Sequence, residues 1–289
     1  QVNGGCASGD GTMLVGWGKL AGQAGKAAWI GHIPSKSQRI AGQAESTLWQ
    51  GGFAAELRAC GSGGMVGWQQ TGDGAERDSV WLRWYEGVVI EALALPAPGD
   101  DELRAVADCW SCKNYRGAAG ELTQAGSGLD ARLVLRDFVD GEKPIDLTYS
   151  LPGDQYVRGL ASSGDGEGRW VLCGYASMGG GAADGWLMAT GPGGAQLWQT
   201  TVGDGYVQRF QACATAGNAV LAVGVTFTPY GNVEPLGRPW LAKFSLADGK
   251  LQWERAQSPQ WANGGELLAL SLGTSVGSWW AAGYVRENG

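Results

Sequence analysis

The stretch Asp184-Gly185-Trp186-Leu187-Met188-Ala189-Thr190-Gly191-Pro192-Gly193-Gly194-Ala195-Gln196-Leu197-Trp198-Gln199 decides the reading of this chain. Two short apolar runs flank a glycine-rich turn, which is the pattern of an antiparallel hairpin. The same pattern returns at Pro239-Trp240-Leu241, followed by Asp248-Gly249-Lys250-Leu251-Gln252-Trp253-Glu254. Trp186 and Trp240 stand 54 residues apart. Working outward, Trp29-Ile30 and Trp81-Leu82 sit in similar runs, and Val134-Leu135 falls midway across the remaining gap.

Two further landmarks keep this register. One is Cys6, Cys60, Cys109, Leu160, Cys213 and Leu270, stepping by 54, 49, 51, 53 and 57. The other is a glycine closing an apolar run, at Gly16, Gly67, Gly174, Gly224 and Gly283, with Ser111 to Tyr115 as the divergent third copy. Each repeat reads as four short strands, with tight turns such as Gly9-Asp10-Gly11 and Gly217-Asn218 after strand one and Asp140-Gly141 or Asp248-Gly249 after strand three. Four-stranded antiparallel units at a period near fifty are propeller blades. The reading is one all-β domain of about six blades, approximately 1–52, 53–100, 101–152, 153–205, 206–260 and an incomplete 261–289.

Composition fits. The 289 residues include 51 Gly and 15 Trp, with 44% hydrophobic residues, which is turn-rich yet too apolar for disorder. The net charge of -7, with no Lys/Arg cluster, disfavours nucleic acid and anionic membrane surfaces. No apolar run approaches the roughly eighteen residues of a membrane-spanning helix. The chain begins at Gln1 without a signal-like segment, so the expectation is a mature or excised piece of an exported protein.

The Trp-Leu and Leu-Gln-Trp-Glu stretches resemble the Trp-rich repeats of bacterial extracytoplasmic propellers. Those repeats are similar to the tryptophan-docking repeats of quinoprotein dehydrogenases and of related non-enzymatic scaffolds. The resemblance implies a propeller, and either a quinone cofactor or a scaffold role. A quinone enzyme of that family needs a metal ligand set and usually a vicinal cysteine pair. This chain has no adjacent cysteines and one histidine, His32, so no cofactor and no metal are expected.

The cysteines of the inner strands read as buried free thiols, since equivalent positions on adjacent blades should lie beyond disulfide reach. Cys109, Cys112 and Cys173 are left as residues that could pair. Most tryptophans read as packing between blades. Trp17, Trp68, Trp84, Tyr175 and Tyr230, beside loops, can meet either a ligand or the core.

The connections from strand two to three read as long and variable: 18–27, 69–78, 116–130, 176–184 and 226–238. Function concentrates on such loops. The segment 227–236, with Phe227, Tyr230, Val233 and Leu236, combines apolar residues with stiffening prolines and suits a protein contact, and Trp17 and Trp68, next to other loops, are further partner-binding candidates. The leading expectation is a non-catalytic exported scaffold for a protein or glycan. A quinoprotein-like or hydrolytic enzyme, and a structural subunit of a surface assembly, are the alternatives. Trp279, Trp280 and Tyr284 occupy a last strand that could pair with a donated one.

Overall fold

The computed structural model describes residues 1–8, 11–19, 26–34, 45–49, 54–61, 64–70, 76–85, 88–109, 115–124, 128–137, 143–179, 182–204, 206–227, 237–256, 264–272 and 278–285. These form antiparallel sheets in strict sequence order. The first blade is β1 (Val2–Ser8), β2 (Gly11–Lys19), β3 (Lys26–Pro34) and β4 (Glu45–Trp49). The second is β5 (Ala54–Gly61), β6 (Gly64–Gln70), β7 (Arg77–Tyr85) and β8 (Val88–Leu95). The third is β9 (Asp101–Asp108), β10 (Tyr115–Gln124), β11 (Gly128–Asp137) and β12 (Ile145–Tyr149). The fourth is β13 (Asp154–Ser162), β14 (Trp170–Gly179), β15 (Ala182–Thr190) and β16 (Gln196–Val202). The fifth is β17 (Gln208–Ala216), β18 (Ala219–Thr226), β19 (Arg238–Ser245) and β20 (Leu251–Ala256). A two-stranded sheet of β21 (Gly265–Leu272) and β22 (Trp279–Val285) follows.

The first strand of each sheet packs against the first three strands of the sheet before it. That stacking of blades around an inner strand is the propeller arrangement. Strands between neighbours are buried on both faces, as β18 is along its whole length, whereas the outermost β20 is exposed throughout. Apolar residues from consecutive blades fill the interfaces, with Trp170 and Trp186 between the third and fourth and Phe210, Trp240 and Phe244 between the fourth and fifth.

One local device repeats in every sheet. The inner strand carries a bulge at Asn3, Arg58, Arg104, Arg158, Gln211 and Leu268, where an extra residue breaks the register. Across from it stands a glycine of the second strand: Gly16, Gly67, Gly120, Gly174, Gly224 or Gly283. A Cβ there would lie 1.8–2.0 Å from an inner-strand carbonyl oxygen, so only glycine fits. The glycine landmark is therefore a steric necessity of the bulge.

This register corrects several expectations. The third glycine is Gly120, not a divergent copy at 111–115; the aromatic landmark failed there because Glu121 follows it. The residues facing these glycines on strand three are Trp29, Val80, Arg132, Trp186 and Trp240, so Trp81 is displaced by one position and Arg132, not Val134, takes the third place. Among the cysteines, Cys60 and Cys213 are equivalent, Cys6 lies one residue later and Cys109 three.

Cys6 and Cys60 form a disulfide with a Cα separation of 5.7 Å, contrary to the expectation of free thiols. The inner strands of adjacent blades approach within bridging range because the first hairpin, joining β1 and β2, is offset by that residue. Cys109 is also disulfide-bonded, its partner outside the described residues. Cys173 and Cys213 are free and buried, and burial pushes the Cys173 thiol well up, with the Cys213 thiol as its hydrogen-bond neighbour.

Two of the expected long connections are strand instead. Residues 116–130 belong mostly to β10 and β11, and 176–184 mostly to β14 and β15. Their alternating small residues carry the ladder on beyond the point where glycine content suggests a loop.

Candidate functional site

The bulges gather polar side chains on the inner strands, near the ends that meet the connections between strands two and three. Leu57, Leu103, Val157 and Phe210, each just before a bulge, pack against the preceding blade, while the bulged residues Arg58, Arg104, Arg158 and Gln211 carry polar groups into the belt. Asn3 Nδ2 donates to Glu56 Oε1 (2.8 Å), and Lys26 Nζ donates to Glu56 Oε2 (2.9 Å). Arg58 joins Glu56 to Glu102, and Arg104 joins Glu102 to Glu121 (3.0 and 2.9 Å). Arg158 donates to Glu121 at 3.1 Å and to the Tyr175 hydroxyl at 3.2 Å. Gln211 Nε2 donates to Glu266 at 2.6 Å, and the Tyr284 hydroxyl donates to Glu266 at 3.3 Å. These contacts run unbroken from the first blade to the fourth, and a second set joins the fifth blade to the last sheet.

Aromatic rings line the same level. Lys26 lies 4.3 Å over Trp17, Arg77 lies 5.5 Å over Trp68, and Arg209 lies 4.8 Å over Tyr175. Tyr156 and Tyr175 stack at 4.5 Å. Burial raises the Glu121 carboxyl above its usual range, although Arg104 and Arg158 oppose the shift. Burial likewise raises the Tyr149 hydroxyl to about 12, and that hydroxyl donates to the Gly194 carbonyl at 2.6 Å.

A cavity of about 190 Å³ opens between the fourth and fifth blades on this face. Val202 and Asp204 line it from the fourth blade's end, and Gln208, Thr226, Trp240 and Glu254 from the fifth. Gln208 is 4% exposed, and its Oε1 is buried without a hydrogen-bond partner. The Trp240 indole donates to Glu254 Oε2 at 3.0 Å.

The residues singled out from the sequence distribute as follows. Trp68 is buried, with its indole nitrogen unpaired, and Trp17 is half-buried; both belong to the belt. Phe227 is half-buried, and its backbone amide donates to the Val207 carbonyl at 2.9 Å. Tyr230, Val233 and Leu236 lie outside the described residues, as do the side chains of Trp84 and His32. Trp279 is half-buried, while Trp280 is 69% and Tyr284 42% exposed. Sequence reasoning missed the belt. Its signal was present as polar residues two apart, Glu56 and Arg58, Glu102 and Arg104, in otherwise apolar inner strands. No cluster of three or more metal-ligating side chains occurs among the described residues.

No known family's sequence profile matches the chain, and no curated protein matches it. Among solved structures, Sqt1 of Chaetomium thermophilum bound to the N-terminus of the ribosomal protein L10 is similar over 98% of this chain and 94% of its own, at 12% identity and a TM-score of 0.37. A second crystal structure of Sqt1 from Chaetomium thermophilum gives 12% identity and a TM-score of 0.36, over 98% and 93%. At those values the fold rests on the sheets and their register.

Proposed function

We propose that this chain is a non-catalytic binding scaffold that engages a protein partner through the face bearing the belt and the cavity. The belt carries the reading. Glu56, Glu102, Glu121 and Glu266 each accept from at least one side-chain donor of the belt. A carboxylate held by arginines is suited to fixing a rim. A rigid rim of aromatic and cationic side chains is the composition of a recognition surface.

The exported reading accompanies this proposal. The Cys6–Cys60 bridge supports it, because such bridges persist where the surroundings are oxidising. Kinship with the scaffold branch of the Trp-rich propellers belongs to the same proposal.

A second reading is favoured by the last sheet. Five blades have four strands and the sixth has two among the described residues, with Trp280 exposed on β22. A donated extended segment would complete that ladder.

The test is to cross-link the full chain in its source cells, identify the partner and measure the affinity of the purified pair. Replacing Tyr230 and Leu236 by Ser should weaken binding at least tenfold with an unchanged melting temperature. Full affinity in that variant, with loss on changing Asp165 of the opposite face, would overturn the proposal.

A further inference from the structure

The cavity between the fourth and fifth blades has a repeat-equivalent elsewhere in the chain, and there it is filled. The sheet register equates Leu95, Asp101, Arg132 and Asp146 of the second and third blades with Val202, Gln208, Trp240 and Glu254. At the first site the Arg132 guanidinium is held on three sides. Its Nε and Nη2 donate to Asp146 at 2.9 and 2.6 Å, Nη1 and Nη2 donate to the Leu95 carbonyl at 3.3 and 3.2 Å, and Nη1 donates to Asp101. The chain itself therefore shows which group this frame accepts.

At the second site the frame persists, and the described residues supply no cation to it. Trp240 replaces Arg132 and donates once, to Glu254. Gln208 replaces Asp101, keeps its amide nitrogen on Asp204, and leaves Oε1 buried and unpartnered. What remains is the space of about 190 Å³, edged by the carboxylates of Asp204 and Glu254.

From this we infer that the cavity receives an arginine side chain of the partner, placed as Arg132 is placed in the third blade. The inference rests on the scaffold reading and names its chemistry. Size supports it: the space is below the roughly 300 Å³ at which small-molecule sites begin, and suits one side-chain head. The geometry supports it as well, since acceptors on several sides match a planar fork of donors better than a point charge. The net charge of -7 attracts a cationic segment and repels an acidic one.

The experiment titrates the full chain with N-acetyl-arginine amide, N-acetyl-citrulline amide, N-acetyl-lysine amide and calcium chloride, by calorimetry at low salt. The arginine probe should saturate. The citrulline probe, equal in shape but uncharged, should bind at least tenfold more weakly, and the lysine probe should fall below arginine. Glu254→Gln should weaken the arginine probe at least tenfold. Ala256→Phe, on the exposed outer strand, should block it. Both variants should keep the parent melting temperature. Equal binding of citrulline, no arginine binding at tens of millimolar, preference for calcium, or unchanged affinity in both variants would each overturn the assignment. Should the arginine probe fail while the Tyr230 and Leu236 replacements still weaken partner binding, only the cavity assignment falls and the scaffold reading stands.

Discussion

At the scale of the residue, the bulge-facing glycines are the most constrained positions here. Gly174 faces the bulge at Arg158, and a methyl there would meet the Tyr156 carbonyl at 1.8 Å. Gly174→Ala should therefore cost more than about 3 kcal/mol, at the far end of what single substitutions do. Gly164, with nothing within 4 Å of its own would-be Cβ, should tolerate alanine within about 0.5 kcal/mol. Chemical denaturation of the two variants compares them directly, and equal losses would mean that the bulge can relax. Arg132 is the second such residue. It is 2% exposed between Asp101 and Asp146, so Arg132→Met should cost about 3–5 kcal/mol by stranding Asp101. Burial, the largest influence on Glu121, raises its carboxyl above 4.5, so the folded state binds the proton more tightly than the unfolded chain. That stability is present below the ordinary carboxylate value and is lost as pH rises through the raised one. Glu121→Gln should remove this slope, and a denaturation series from pH 4 to pH 7 reads it; an identical slope in the variant would assign the titration elsewhere. Five of the six bulge glycines were legible, because an aliphatic and an aromatic residue bracket most of them. Gly120 was not, since Ala119 and Glu121 carry no such signal.

At the scale of the element, the inner strand does most of the positioning. Its bulged residue, Arg58, Arg104 or Arg158, enters the belt beside the carboxylates of Glu56, Glu102 and Glu121. The hairpins were readable from turns such as Gly217-Asn218 and Asp248-Gly249. The extents of β10, β11, β14 and β15 were not, because glycine and alanine in 117–120, 128–131, 174–179 and 182–185 mimic loop composition while the ladder satisfies their backbone. The Cys6–Cys60 bridge ties β1 to β5 across a separation of 54 residues. It was illegible because disulfide reach depends on a one-residue offset between hairpins that spacing alone conceals. Cys60→Ser should lower stability by about 2–4 kcal/mol, seen as a lower melting temperature under non-reducing conditions and little further change on reduction at this site. A variant as stable as the parent would mean that the inner strands hold their places without the bridge.

At the scale of the whole molecule, blades packed in sequence order present two unlike faces. The face with the connections from strand two to three carries the belt, the cavity and the approach to residues 227–236; the other carries short turns such as Gly164 to Gly166. The propeller was legible because every blade repeats the same steric demand near a fifty-residue period. The site was legible only as a face, since its chemistry arises from contacts between blades, such as Arg158 with Glu121, which no single repeat displays. The central claim is that partners dock on the belt face. The most direct measurement places a photo-crosslinking amino acid at Ala256, on the rim of the cavity, or at Gly166, in a turn of the opposite face, and irradiates the full chain in its source cells. The account predicts a specific partner adduct from position 256 and none from position 166. Adducts from position 166 alone, or equally from both, would contradict it.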